Sequence, residues 1–300
     1  MLGYYLSLFG DIPLFLEKYL KVPSLVRLKR VGYFCGMDYA SKDIYNFKEK
    51  ITRYDHSLTV ALLTYKLTKR KKDTIAALFH DVATPCFSHV IDYMNKDYEK
   101  QESTEEYTEM ILKNDQELIK CLEKDNIKIE DIIDFKKYSI VDNERPKVCA
   151  DRLDGLILTG MAWIENVSKS TIMLILNDIK VIKNEDNTDE IGFNTLEVAK
   201  TVKEISKKID IYCHSSEDNY MMELLAKITK YAIDKKYITY NDLYYLNEEE
   251  VFNIFNKINV KSFQKLLTEF KTKKKKDIPN LEIPNIKIRS LNPLVNNKRI

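Results

Sequence analysis

Turn-forming residues are scarce in this 300-residue chain, which has 7 glycines and 7 prolines. An all-β fold rich in tight turns needs more of both, so helices are the expectation. Cysteine is sparse and odd in number: 5, at positions 35, 86, 121, 149 and 213, with no pair in CxxC spacing. That argues against a disulfide framework or an all-thiolate zinc site and for a reducing, cytoplasmic setting. No run reaches the roughly 18 uninterrupted apolar residues that a membrane span requires. The opening MLGYYLSLFGDIPLFLEKYL has no basic leader and is broken by Asp11 and Pro13, so it reads as a buried first helix or strand. An excess of one charge is also missing. Lys and Arg total 48 and Asp and Glu 46, a net charge of +2, so the bulk composition gives no reason to expect nucleic acid as a partner.

What the chain does have is length and hydrophobic content, 44%, enough for a substantial core without staples. Spacing of apolar residues predicts a helix after Pro13, a break at Pro23 and a second helix through SLVRLKRV. Residues 32–50, with Gly32 and Gly36, read as a loop. A helix follows across DHSLTVALLTYKL, its apolar side using Leu58, Leu62 and Tyr65, widened by Val60, Ala61 and Leu63. Next comes TIAALFHD, with Asp73 as N-cap, ended by Thr84-Pro85. A short helix is expected over 86–95 and a longer one over 103–123, with STEE as its capping box. Beyond a polar patch lies the helix KVCADRLDGLILTGMAW. Further helices are expected over 170–182, 195–208, 217–234 and 248–270, with KNEDNTDE a loop between the first two. From 271 the composition changes. KTKKKK reads as a solvated linker, and IPNLEIPNIKIRSLNPLV as an extended tail with one or two edge strands. The fold class is all-α, organised as 1–165, 166–270 and 271–300.

Three short segments carry the chemistry: Arg53-Tyr54-Asp55-His56, His80-Asp81 and Asp151-Arg152-Leu153-Asp154. Two of the chain's 4 histidines belong to this set. Their unequal spacing rules out one local metal loop, but separate helices facing a shared cleft could bring them together. Imidazole nitrogens and carboxylate oxygens suit a divalent transition metal with room left for water. Such a metal lowers the pKa of a bound water and neutralises charge on phosphoryl oxygens. Taken singly, a histidine on an apolar helix is more often a hydrogen-bonded core residue; the ordered set carries the argument. His89 and Asp92, three apart, share a helix face. His89 could protonate a leaving oxygen, with Asp92 fixing its tautomer and raising its pKa; the ordinary alternative is a packed histidine. His214 reads as structural, before a helix capped by Ser215 or Ser216.

RYDHSLTVA, HDVATPCFSHVID and ADRLDGL, in that order, resemble the H…HD…D pattern of the HD-domain phosphohydrolase superfamily, and within it the deoxynucleoside triphosphate triphosphohydrolase-like branch. PSLVRL and KIRSLNPLV extend the likeness more loosely. The resemblance implies an HD-domain helical bundle with C-terminal helices packed on it. It also implies one divalent metal ion (Mn, Fe, Ni, Zn or Mg) held by His56, His80, Asp81 and Asp151, and phosphate contacts from Arg53 and Arg152. Arg53 stands one helical turn before His56 and offers a planar charged fork; Arg152 could instead pair with Asp55 or Asp154. The implied function is metal-dependent hydrolysis of a nucleotide or other small phosphoester in a possible homo-oligomer, without membrane or nucleic-acid partners.

Four positions depart from that pattern. Thr84 and Thr104 stand where the branch has histidines that handle water and phosphate, Gly155 where it has a substrate-side tyrosine, and Thr159 where it has an acid. Threonine can hydrogen-bond but cannot act as a base near neutral pH. The departures point to a different phosphorylated substrate, or to a catalytically weakened scaffold that binds a nucleotide or a partner as a regulatory module. A metal nuclease is a third reading, to which the charge balance lends little.

Overall fold

Thr52 opens the helix that carries the first histidine. Its hydroxyl accepts the Asp55 N–H at 3.2 Å and the Asp55 carboxylate accepts the Thr52 N–H at 2.8 Å, a reciprocal cap starting the helix Arg53–Thr68. In the computed structural model, which describes residues 1–164 and 167–300, every side chain from His56 to Thr64 on this helix is buried. Burial goes further than the widened apolar side expected, taking in His56, Ser57, Thr59 and Thr64: the helix is central, packed by Lys71–Phe79 and Ala150–Ala162. Arg70, not Asp73, precedes the second of these helices as its cap residue. Asp73 sits in the first turn and takes the Arg70 guanidinium at 2.7 Å.

Several expected helices are shorter or divided. Residues 13–31 form 3₁₀ turns around a single-turn helix, Pro23–Val26, which Pro23 begins. Phe87 and Ser88 adopt φ of +66° and +46°, so the short helix starts at Val90 and runs to Asn95. The 103–123 region is a 3₁₀ turn, Ser103–Glu105, followed by helices Thr108–Asn114 and Gln116–Lys124. The STEE box does not form. Asp115 interrupts instead, accepting the N–H groups of Glu117 and Leu118, each at 3.1 Å. The 248–270 segment divides into Glu248–Lys257 and Lys261–Thr272.

KNEDNTDE is the turn of a hairpin that apolar spacing did not reveal. The helix Lys169–Asp178 stops, and β1 (Ile179–Lys183) pairs antiparallel with β2 (Asp189–Phe193). The tail supplies the expected edge strands. β3 (Leu294–Val295) lies parallel to β2, and β4 (Lys298–Arg299) antiparallel to β3. Glu190, fully buried, explains why the tail docks here: its carboxylate accepts the Arg299 fork at 2.9 and 3.0 Å and the Val148 N–H at 3.0 Å. The C-terminus thus braces the loop that leads into Ala150–Ala162.

Two apolar clusters form the core. One runs from Tyr5 to Ile209 and takes in Leu291 and Val295; the other joins Met37–Tyr45, Cys86–Tyr93 and 221–270. The helix Ser216–Asp234, capped by the Ser215 hydroxyl as expected, belongs to the second. A cavity of about 960 Å³ lies between them, touching Phe34 and Leu156 of the first and Tyr45 and Met222 of the second. The boundary read at 165/166 falls on Glu165 and Asn166, outside the described residues. Among the described residues no helix is long and apolar enough to cross a membrane.

Candidate metal centre and cleft

Packing of the three helices brings distant motif residues into one wall of the cavity. His56 projects from the central helix, His80 and Asp81 follow the end of Lys71–Phe79, and Asp151 stands in the first turn of Ala150–Ala162. Asp151 Oδ1 is 3.1 Å from His56 Nε2 and 3.5 Å from His80 Nε2, and the three ligand atoms lie within 4.8 Å of one another. Asp81 flanks this trio, with Oδ2 3.7 Å from His56 Nε2 and Oδ1 3.8 Å from His80 Nε2.

The far sides of both rings decide what the near sides can bind. His80 Nδ1 donates to the Ala77 carbonyl at 2.7 Å, so in the neutral ring Nε2 is a bare acceptor. That Nε2 is buried and has no hydrogen-bond partner. An orphaned lone pair facing carboxylates is an arrangement that a cation completes. His56 Nδ1 donates to Asp154 Oδ2 at 2.8 Å. Asp154, fully buried, also accepts Thr59 Oγ1 at 2.9 Å and the Tyr5 hydroxyl at 2.6 Å. Metal-binding histidines characteristically give their second N–H to a carbonyl or carboxylate, which fixes the ring and raises its basicity. Metal binding displaces ring protons, so a divalent ion would take over the positive charge that protonated His56 and His80 supply opposite Asp81 and Asp151. Both histidines and both aspartates therefore fit such an ion.

Electrostatics keeps both candidate carboxylate ligands ionised. Burial opposes ionisation of Asp81, but His80, Arg53 and His56 outweigh it and hold the pKa at about 2. Asp151 is likewise held well below the usual carboxylate range, by His56 and His80 against burial. Burial disfavours the charged form of His56, yet its hydrogen bonds to Asp151 and Asp154 raise its pKa to about 10.

Arg53 lines the cavity but its donors are engaged. Nη1 gives to Asp81 Oδ2 at 2.9 Å, Nε to Ser88 Oγ at 3.1 Å and Nη2 to the Tyr33 carbonyl at 3.4 Å. In this arrangement it orients Asp81. Arg152 pairs with neither Asp55 nor Asp154, which serve the helix cap and His56. Its guanidinium meets Asp142 at 2.9 Å, the Lys147 carbonyl at 3.0 Å and the Asn143 side chain, while still bordering the cavity. His89 Nδ1 lies 2.9 Å from Asp92 Oδ2, as the shared face predicts. Its pKa is lowered, however, because burial, with Arg53 and Arg289 nearby, outweighs Asp92. The expectation of a raised value is corrected: the surroundings of His89 favour its neutral ring.

Sequence reasoning missed Asp154 as the residue behind His56, though its i+3 spacing from Asp151 places both on one face. It also missed Tyr33. A Cβ on Gly155 would stand 2.9 Å from the Tyr33 hydroxyl, and Thr159 lies close enough to act on that same phenol. Tyr33 lies under the Arg53 guanidinium, 4.9 Å from ring centre to Cζ. Of the two threonines, Thr104 lines the cavity, whereas Thr84 is buried outside its lining.

Residues 53–156 match the family model described as "HD domain", a span that takes in all three motif segments. Metal-dependent hydrolysis is the general chemistry of that family. The chain is also 29% identical, over 257 residues, to the uncharacterized protein YdhJ of Bacillus subtilis (strain 168), covering 84% of this chain and 74% of YdhJ.

Proposed function

We propose that the protein is a metal-dependent phosphohydrolase acting on a nucleotide or another small phosphoester. The observation that carries this reading is the buried, unpartnered His80 Nε2 beside His56, Asp151 and Asp81 in the wall of a large cavity. A divalent ion there supplies Lewis acidity and an activated water. His56, His80, Asp81 and Asp151 would hold it, and Arg53 fixes the angle of Asp81. His89, backed by Asp92, faces the cavity as a proton acceptor at rest; a bound phosphate dianion favours its protonated form, from which it can serve the leaving oxygen. Residues 1–165 form the catalytic unit, and the C-terminal helices close the cavity behind it.

The test is metal content after mild purification, together with a phosphoester and nucleotide panel assayed with Mn, Fe, Ni, Zn and Mg. Asp81→Ala should lose both metal and turnover; retention of both by a folded variant refutes the assignment. The exclusion of Thr84 from the cavity favours a second reading, a nucleotide-binding regulatory module. Nucleotide-dependent thermal stabilisation with every metal, but without product, would establish that reading instead. Sedimentation would decide whether the chain forms the homo-oligomer we propose.

A further inference from the structure

The cavity has a second charged region, of opposite sign to the carboxylate cluster. Arg145 comes from the loop before Ala150–Ala162, Lys287 and Arg289 from the tail, and all three line the cavity that holds His56, His80 and Asp151. Tail and loop are tied to each other. The Asn292 N–H donates to the Pro146 carbonyl at 3.0 Å, and Arg145 Nη1 to the Ile288 carbonyl at 2.9 Å. Arg53, Arg152 and Arg299 each pair with a carboxylate; among the described residues Arg145, Lys287 and Arg289 have none within 4.0 Å.

Their remaining bonds leave donors free. Arg289 Nη2 gives to Gln101 Oε1 at 2.6 Å, while its buried Nε has no partner. The Lys287 ammonium makes no hydrogen bond to a described residue. Like charges gathered in a half-buried space disfavour one another. Burial, then Arg145 and Arg289, lowers Lys287 to about 8; burial, then Arg289 and Arg152, lowers Arg145 to about 10. Asp151 and Glu105 act on Lys287 in the other sense, so this region borders the metal cluster without containing a ligand. A bound anion would relieve the repulsion and satisfy the free donors.

We propose that Arg145, Lys287 and Arg289 form an anion subsite that takes the non-reacting phosphoryl groups of a substrate bearing two or more phosphates. A simple monoester would occupy the metal side and leave these cations unpaired. Calling the anion part of a substrate rests on the phosphohydrolase reading; the existence of the subsite does not.

The probe is inorganic triphosphate, titrated calorimetrically against chelator-treated full-length protein, with orthophosphate in parallel. Triphosphate should bind without metal and more tightly than orthophosphate. Lys287→Gln, which removes no hydrogen bond of the fold, should weaken triphosphate by about tenfold. Lys287→Arg should retain binding, and Arg145→Gln should behave like Lys287→Gln. Absence of triphosphate binding, or affinities unchanged in both Gln variants, overturns the subsite. Tight triphosphate binding without turnover on any metal would refute the hydrolase reading and leave the subsite standing. Monophosphate turnover without triphosphate binding would do the reverse.

Discussion

Asp154→Asn isolates one charge behind the candidate metal centre. The buried carboxylate accepts His56 Nδ1 at 2.8 Å and Thr59 Oγ1 at 2.9 Å through Oδ2, and the Tyr5 hydroxyl at 2.6 Å through Oδ1. Asparagine has the same shape. With its oxygen in the Oδ2 position it keeps the first two bonds, and its amide can donate to a rotated Tyr5 hydroxyl. What disappears is the charge. Hydrogen bonds to charged groups contribute about 1.5–3 kcal/mol against about 1 kcal/mol for neutral ones, so the His56 bond loses about 1–2 kcal/mol. That loss falls on ring basicity, and removing such supporting groups typically weakens metal binding 10–100-fold. Competition against a chelator of known affinity reads this directly. Circular dichroism and Tm on the same samples confirm that the fold survives. A folded Asp154→Asn protein with wild-type metal affinity would refute the argument that Asp154 sets the donor strength of His56.

Other perturbations test separate parts of the description. Glu248 is buried, and burial, reinforced by Asp38, raises its pKa from 4.5 to about 7. Because the folded value is the higher one, its stabilising contribution is full below about 4.5 and is lost as pH rises towards 7, on the order of 3 kcal/mol. Denaturant titrations from pH 4.5 to 8 should show that component in the wild type but not in Glu248→Gln. Gly155→Ala, whose Cβ would meet the Tyr33 hydroxyl at 2.9 Å, should destabilise by about 1–3 kcal/mol, and adding Tyr33→Phe should recover part of the loss. Arg152→Ala should lower Tm, since it abandons Asp142, while KM stays near wild type. A raised KM at unchanged Tm would restore its assignment to substrate phosphate.

The helical class, the existence of the helix that carries His56 and the extended strands of the tail were legible because each rests on local signals: few turn residues, periodic apolar positions, closely spaced prolines. The placement of the metal motif on helix ends was legible for the same reason. Boundaries were less so. Asp115 stops a helix by capping the next one, and STEE offered an equally good local signal that lost to packing. The hairpin 179–193 was hidden because β1 continues the apolar run of the preceding helix, and only Glu190 and the docked tail give that segment a reason to extend. Asp154 required knowing that one face of a helix meets His56. The cationic region required knowing that residues some 140 positions apart are joined by Asn292 and Pro146. Contacts of that separation leave no trace in spacing.

The departures in the third motif segment have a common physical origin. Gly155 and Thr159 lie one turn apart on the same helix face, and both meet the Tyr33 phenol, which enters from the 32–50 loop. A tyrosine at 155 would have to occupy the volume where that phenol already stands, since a single Cβ there comes within 2.9 Å of it. The two arrangements are therefore alternatives: an aromatic from the helix with an open loop, or a bare helix with an aromatic from the loop. The second keeps a phenol in the cavity wall and adds a face for Arg53, 4.9 Å away. Arg53 in turn holds Asp81 at 2.9 Å. Replacing the tyrosine by glycine thus couples the loop to a candidate metal ligand through two contacts.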